Sequence, residues 1–220
     1  MTAPGIRVQA TAMTLIVHHL ENSRSQRVLW LLEELGVTYG VRTYERDRRT
    51  MLAPPELKLV HPLGKSPIID DEGTKVVETG AIIEYLVQKE HGRLGPPHEP
   101  QDAQRYRFFL HYGEGSLMPW LLVMLVIGRL GLLGRPARPT VKAMLDRHLD
   151  YLEAELADRD WFAGNQFTAA DVMMSFPLEI ARHRAGLDGS RPKLIRWLDR
   201  IHSRPAYQSA LARGGPYAYA

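Results

Sequence analysis

The sequence predicts an α/β domain followed by an all-α helical bundle. Three observations carry that expectation. Short β-prone runs alternate with amphipathic stretches as far as residue 91, a turn-rich segment follows, and beyond it only helical periodicity remains. The expected division is residues 13–91, a linker at 92–101, and a helical domain at 102–220. At 220 residues and 45% apolar content, the chain is long enough to bury a core and too apolar to be disordered.

Leu15 to His18 reads as the first strand. Ser23-Arg24-Ser25-Gln26-Arg27 opens a helix in which Val28, Leu31, Leu32 and Leu35 share one face. Thr38 to Tyr44 is the second strand, and Pro67 to Asp70 and Lys75 to Val77 are the third and fourth, joined by the turn Asp71-Glu72-Gly73. A further helix starts at Glu78-Thr79. The order βαβ then ββα is the pattern of a thioredoxin-like domain. Gly95, Pro96, Pro97 and Pro100 then forbid a continuing helix and mark the linker. The apolar stretch Leu117 to Leu133 contains Pro119, Gly128, Arg129 and Gly131, which suits a buried or interface helix rather than a membrane span. Val141, Met144, Leu145, Leu149, Leu152 and Leu156 recur at helical spacing, as do Ile195, Leu198 and Ile201. Between them, Thr168-Ala169-Ala170-Asp171 fits a helix N-cap with a reciprocal acceptor three residues on, a structural device.

Composition removes several function classes. Net charge is only +3, and Arg46-Asp47-Arg48-Arg49, the densest basic group, reads as a solvated loop, so no nucleic-acid partner is implied. The chain has no cysteine, which excludes disulfides, thiolate metal sites and a protein thiol nucleophile. Its nine histidines show no metal spacing; His18 and His19, adjacent on a strand, point to opposite faces. Gly64-Lys65-Ser66 lacks the upstream glycine of a phosphate loop, and a proline follows where that motif needs a helix. Residues 1–12 lack the apolar run of a secretory signal, so a cytoplasmic protein without a membrane partner is expected.

The segment Gly64-Lys65-Ser66-Pro67, with Glu78-Thr79 downstream, fits a thiol tripeptide. Pro67 can hold a cis bond that leaves the N–H and C=O of Ser66 free to pair with a ligand backbone. Glu78 offers a carboxylate for an ammonium group. Thr79 offers a hydroxyl, and the helix start its orphan N–H groups, for a carboxylate. Ammonium and carboxylate on one carbon describe the γ-glutamyl end of glutathione.

Four motifs in the same order and spacing carry a wider resemblance: the segment Ser23 to Gly36, Pro62 to Pro67, Glu78-Thr79, and Gly164 to Asp171. The chain resembles the glutathione transferase family from about Met13 onward, with details similar to a bacterial or fungal subgroup that has the segment Ser-Arg-Ser-Gln-Arg. In serine-type members the catalytic hydroxyl lies four residues before the helix arginine, which indicates Ser23, with Ser25 the runner-up; the plain alternative for Ser23 is an N-cap. The resemblance also implies that Lys65, otherwise a surface lysine, pairs with the glycine carboxylate of glutathione. Ser66 stands where valine or isoleucine is common, and Thr79 replaces the usual serine. Tyr112 and Trp120 either line the second-substrate pocket or the dimer interface, or pack in the core.

Two readings of function follow. The first is a dimeric enzyme with glutathione as co-substrate and no further cofactor, which ionises the thiol for attack on small hydrophobic electrophiles or reduction of organic hydroperoxides. The second is a transferase-like binding or regulatory protein with glutathione affinity and no turnover.

Overall fold

The alternating first domain folds around its most apolar strand. The computed structural model describes residues 15–220, so the expected domain start at residue 13 lies outside the described residues. β1 (Leu15–Leu20) lies inside a four-stranded sheet of order β2-β1-β3-β4. It pairs in parallel with β2 (Gly40–Tyr44) and antiparallel with β3 (Ile68–Asp71), which pairs antiparallel with β4 (Thr74–Val77). All four expected strands form, with ends displaced by one or two residues. β1 runs past His18 because His19 and Leu20 stay in the parallel ladder, opposite Thr43 and Tyr44.

Helix α1 (Ser25–Leu35) starts two residues later than the sequence suggests: Arg24 is its N-cap and Ser23 lies outside it. The helix stops at Gly36, which has a φ of +64° and donates its N–H to Glu33, while Val37 N–H reaches back to Leu32. That is the Schellman arrangement, and only glycine enters it without strain. The single turn α2 (Leu57–Val60), not anticipated from sequence, buries Leu57 against Leu20, Tyr44 and Ile68. α3 (Thr79–Lys89) begins as expected at the Glu78-Thr79 pair, with Glu78 as N-cap.

α4 (Pro100–Tyr112) starts inside the expected linker, because proline is well suited to the first turn of a helix even though it cannot continue one. A π-helical turn, Gly113–Leu117, joins it to α5 (Met118–Arg129). The expected single helix from Leu117 to Leu133 is therefore corrected. It breaks after Arg129 at Gly131, whose φ of +57° starts a 3-10 segment, Gly131–Ala137, leading into α6 (Arg138–Glu155). The continuous helical run Pro100–Arg129 is, among the described residues, the one helix long and apolar enough by length and composition to cross a membrane. In the fold its α5 part packs against α6 and α7.

α7 (Ala169–Arg184), α8 (Pro192–His202) and α9 (Pro205–Gly214) complete the bundle. The Thr168–Asp171 capping box is present: Asp171 accepts Thr168 N–H at 3.0 Å and also Phe162 N–H at 3.0 Å, which ties the start of α7 to the preceding loop. α1 packs against β1 and α3 within its own domain and against α7 and α9 of the second. One hydrophobic core consequently runs through both domains, from Val17 and Ile69 to Leu149 and Trp197.

Candidate active site

A cleft of about 720 Å³ opens between the two domains, where β1 ends and α1 and α3 begin against the π turn and α7. Its first-domain wall brings together Ser23, Lys65, Ser66, Pro67, Glu78 and Thr79, which stand far apart in sequence. The sheet explains the convergence. The antiparallel β1–β3 pair sets the end of β1 beside the Ser66-Pro67 step, and the β3–β4 hairpin returns the chain to the start of α3.

The Ser66–Pro67 peptide is cis. The Ser66 hydroxyl donates to His18 C=O at 2.8 Å and accepts Leu20 N–H at 3.2 Å, so the side chain extends the β1–β3 pairing by one rung. Among the described residues, the Ser66 main-chain N–H and C=O have no backbone partner, which leaves them for a ligand. Serine at this position thus has a local use that valine could not supply.

Glu78 has a φ of +70°, rare for a residue with a side chain. The strain is of the kind found at binding sites, and it places an exposed carboxylate at the mouth of α3. Thr79, buried beside it, accepts a hydrogen bond from Arg27 Nη2 at 3.4 Å. One lone pair is thereby occupied and the hydroxyl proton remains free to donate into the cleft. Lys65 is exposed at the opposite end with Lys58 nearby, whose stem packs on Gly64.

Ser23 and Ser25 differ in access. Ser23 lines the cleft, while Ser25 is fully buried behind it, their hydroxyls 2.8 Å apart. Ser23 Oγ accepts Ser25 N–H at 3.2 Å, but Arg24 and not Ser23 is the N-cap of α1, so Ser23 is a buried residue at the cleft wall rather than a cap. Tyr112 and Trp120 do not line the cleft. Tyr112 stacks on Phe108 and meets His148 Nδ1 at 2.5 Å, and Trp120 packs against the core.

The second-domain wall comes from Glu114, Leu122 and Phe176. Glu114, on the π turn, accepts a bifurcated hydrogen bond from the single Arg24 Nε–H, 2.9 Å from each carboxylate oxygen, and pairs with the buried Arg27. Burial alone would raise the Glu114 carboxyl, but the Arg27 and Arg24 guanidiniums outweigh it and hold it below the usual range. Arg27 also donates to Met173 C=O at 2.7 Å, and both arginines lie over the Phe176 ring at about 5.5 Å. Sequence reasoning missed Glu114, Phe176 and Leu122, since no local motif marks them. The basic loop is solvated at Asp47, Arg48 and Arg49, but Arg46 departs from that reading: it is half-buried at the cleft and spent on the carbonyls of Glu21, Asn22 and Met51.

Known proteins resemble this chain in sequence and fold. The family model of the glutathione S-transferase N-terminal domain matches residues 13–88, and that of the glutathione S-transferase C-terminal domain matches residues 135–200. The chain belongs to the glutathione transferase family. Among curated relatives of this family member, glutathione S-transferase 3 of Schizosaccharomyces pombe is 36% identical over 216 residues, covering 89% of this chain and 86% of that protein. Glutathione S-transferase 1 of Saccharomyces cerevisiae is 30% identical over 217 residues, covering 88% and 92%. A solved glutathione S-transferase from Actinobacillus pleuropneumoniae superposes with a TM-score of 0.82 at 31% identity, covering 91% of this chain and 92% of that one.

Proposed function

We propose that this protein binds glutathione in the interdomain cleft and ionises its thiol for attack on small hydrophobic electrophiles, with organic hydroperoxides as a second substrate class. The observation that carries the reading is the position of Ser23, which lines the same cleft as Glu78, Thr79 and the Ser66 backbone, itself without a backbone partner among the described residues. The Ser66 backbone pairs with the cysteinyl residue, Glu78 with the γ-glutamyl ammonium, Thr79 and the α3 N-terminus with its carboxylate, and Lys65 with the glycine carboxylate.

A free thiol, with a pKa of about 8.5, is mostly protonated at neutral pH. The Ser23 hydroxyl and the nearby start of α1 both favour the anion, each by on the order of 1 kcal/mol, which together lower the thiol pKa by about one to two units. Leu52, Leu122 and Phe176 supply an apolar wall suited to a hydrophobic second substrate. The protein acts as a cytoplasmic homodimer; exposed Val123, Val126, Leu130, Leu132 and Leu133, contiguous in sequence with α5, support a self-association surface.

A panel of electrophiles and organic hydroperoxides assayed with glutathione tests the reading. Turnover that requires glutathione and falls in Ser23→Ala supports it. Glutathione affinity without turnover on any member would establish the binding or regulatory alternative instead.

A further inference from the structure

Behind Ser23 lies a buried chain of hydrogen-bonding groups that the proposed mechanism does not use. Ser23 Oγ is 2.8 Å from Ser25 Oγ, and Ser25 Oγ is 2.9 Å from His19 Nδ1. Ser25 is fully buried and His19 is 2% exposed. Each hydroxyl has one proton and two lone pairs, so the direction of the whole chain is fixed by the state of one atom, His19 Nδ1.

The alternatives can be enumerated. Ser25 Oγ already accepts Leu20 N–H at 3.2 Å, and Ser23 Oγ already accepts Ser25 N–H at 3.2 Å. If Nδ1 carried a proton, it would fill the last lone pair of Ser25. Ser25 would then donate to Ser23, and the Ser23 proton would have to point into the cleft. If Nδ1 is bare, Ser25 donates to it, Ser23 donates to Ser25, and Ser23 presents a lone pair to the cleft.

The second case requires a neutral His19 ring whose Nδ1 is bare. Burial keeps the ring neutral, with its pKa pushed down to about 4. Gly214 lies close to that ring: a methyl group there would meet His19 Cε1 at 3.3 Å. A neutral imidazole has one N–H, and with that proton on Nε2 the Nδ1 atom is left as an acceptor. Basic Nδ1 at 2.9 Å is a better acceptor for the Ser25 proton than Leu20 C=O at 3.3 Å. Glu21 is the charged group that bears on His19, and Arg24, Arg46 and Glu114 line the cleft beside Ser23.

We propose that His19 and Ser25 are positioning residues that keep the Ser23 hydroxyl turned inward, so that Ser23 meets neutral glutathione as an acceptor and the thiolate as a donor. The inference rests on the assignment of Ser23 to the glutathione sulfur. In the neutral complex S–H donates to Ser23 Oγ. When the thiol proton leaves to solvent, Ser23 rotates to donate to sulfur and gives up its hydrogen bond to Ser25; no covalent bond within the protein breaks. Ser25 therefore moderates thiol activation, and the two serines act in series.

The test is an ultraviolet titration of bound glutathione in the wild type, Ser23→Ala and Ser25→Ala. Ser23→Ala is expected to move the thiolate midpoint up. Ser25→Ala is expected to move it down by about half a unit to one unit, which gives about three- to tenfold more thiolate at a fixed pH below the midpoint. The Ser25→Ala protein keeps a partner for Leu20 N–H in Ser66 Oγ at 3.2 Å. A midpoint that stays or rises in Ser25→Ala overturns the relay while leaving Ser23 in its role. A flat result in Ser23→Ala removes the assignment of Ser23 and the relay with it. Nitrogen NMR of the His19 ring in the wild-type protein decides the point without any variant: an unprotonated Nδ1 is expected, and a protonated one overturns the proposal.

Discussion

Thr79 and Ser66 each have a partner on the protein side that fixes what they offer a ligand. Arg27 occupies one lone pair of Thr79, and the end of β1 takes up the hydroxyl of Ser66, so the Thr79 proton and the Ser66 main chain are left for a ligand. Glu78 and Lys65 are the exposed charges at the two ends. In the proposed complex both would contact parts of glutathione remote from sulfur, and so bind ground and transition states alike. Glu78→Ala and Lys65→Ala are each expected to raise the Michaelis constant for glutathione by about tenfold, the loss of one charge-assisted contact, with kcat nearly unchanged. Calorimetric affinities equal to the wild type in both variants would place the binding site elsewhere.

The element that joins the two walls of the cleft is the π turn. Five residues wound one step wider than an α-helix carry Glu114 to the arginines of α1. Its two glycines have different surroundings. A Cβ on Gly113 would stand 3.1 Å from Met173 Cγ and 3.4 Å from Met173 O, whereas one on Gly115 meets nothing within 4 Å. Gly113→Ala is expected to cost about 1–3 kcal/mol, and Gly115→Ala to be neutral or stabilising by up to about 1 kcal/mol. Urea unfolding of the two variants measures both.

Glu114→Gln leaves Arg27 buried without its counter-charge, at a cost of about 3 kcal/mol, or roughly 6–12 °C in Tm for a chain of this size. Because the folded carboxyl titrates below its ordinary value, its contribution is present above about pH 4.5 and lost as pH falls through the folded value. The stability gap between wild type and Glu114→Gln should therefore narrow in acid, as thermal melts across pH would report. None of this was legible locally. Gly113 to Leu117 suit an α-helix as well as a π turn, and Glu114 gains meaning only against α1. Strands, caps and the Ser23, Ser66 and Glu78 positions were legible because each rests on neighbours within a few residues. The start of α4 at Pro100 and the break at Gly131 were misplaced, since proline and glycine signal a boundary without saying on which side the helix lies.

At the scale of the whole molecule, one core runs through both domains, with α1 sandwiched between its own sheet and helices α7 and α9. Arg204 pairs with Glu34 and Arg213 with Glu33 across the same boundary. The two domains are expected to unfold in one transition, and calorimetry showing two resolved peaks would contradict that continuity. The exposed apolar residues of α5 and the following segment predict a dimer at micromolar concentration, to be read by light scattering. The central claim is that the cleft ionises the thiol of glutathione, and the most direct measurement is the ultraviolet pH titration of glutathione bound to the intact protein. A thiolate midpoint about one to two units below the free value of about 8.5 is the predicted result. A bound thiol that titrates at or above the free value would contradict the account.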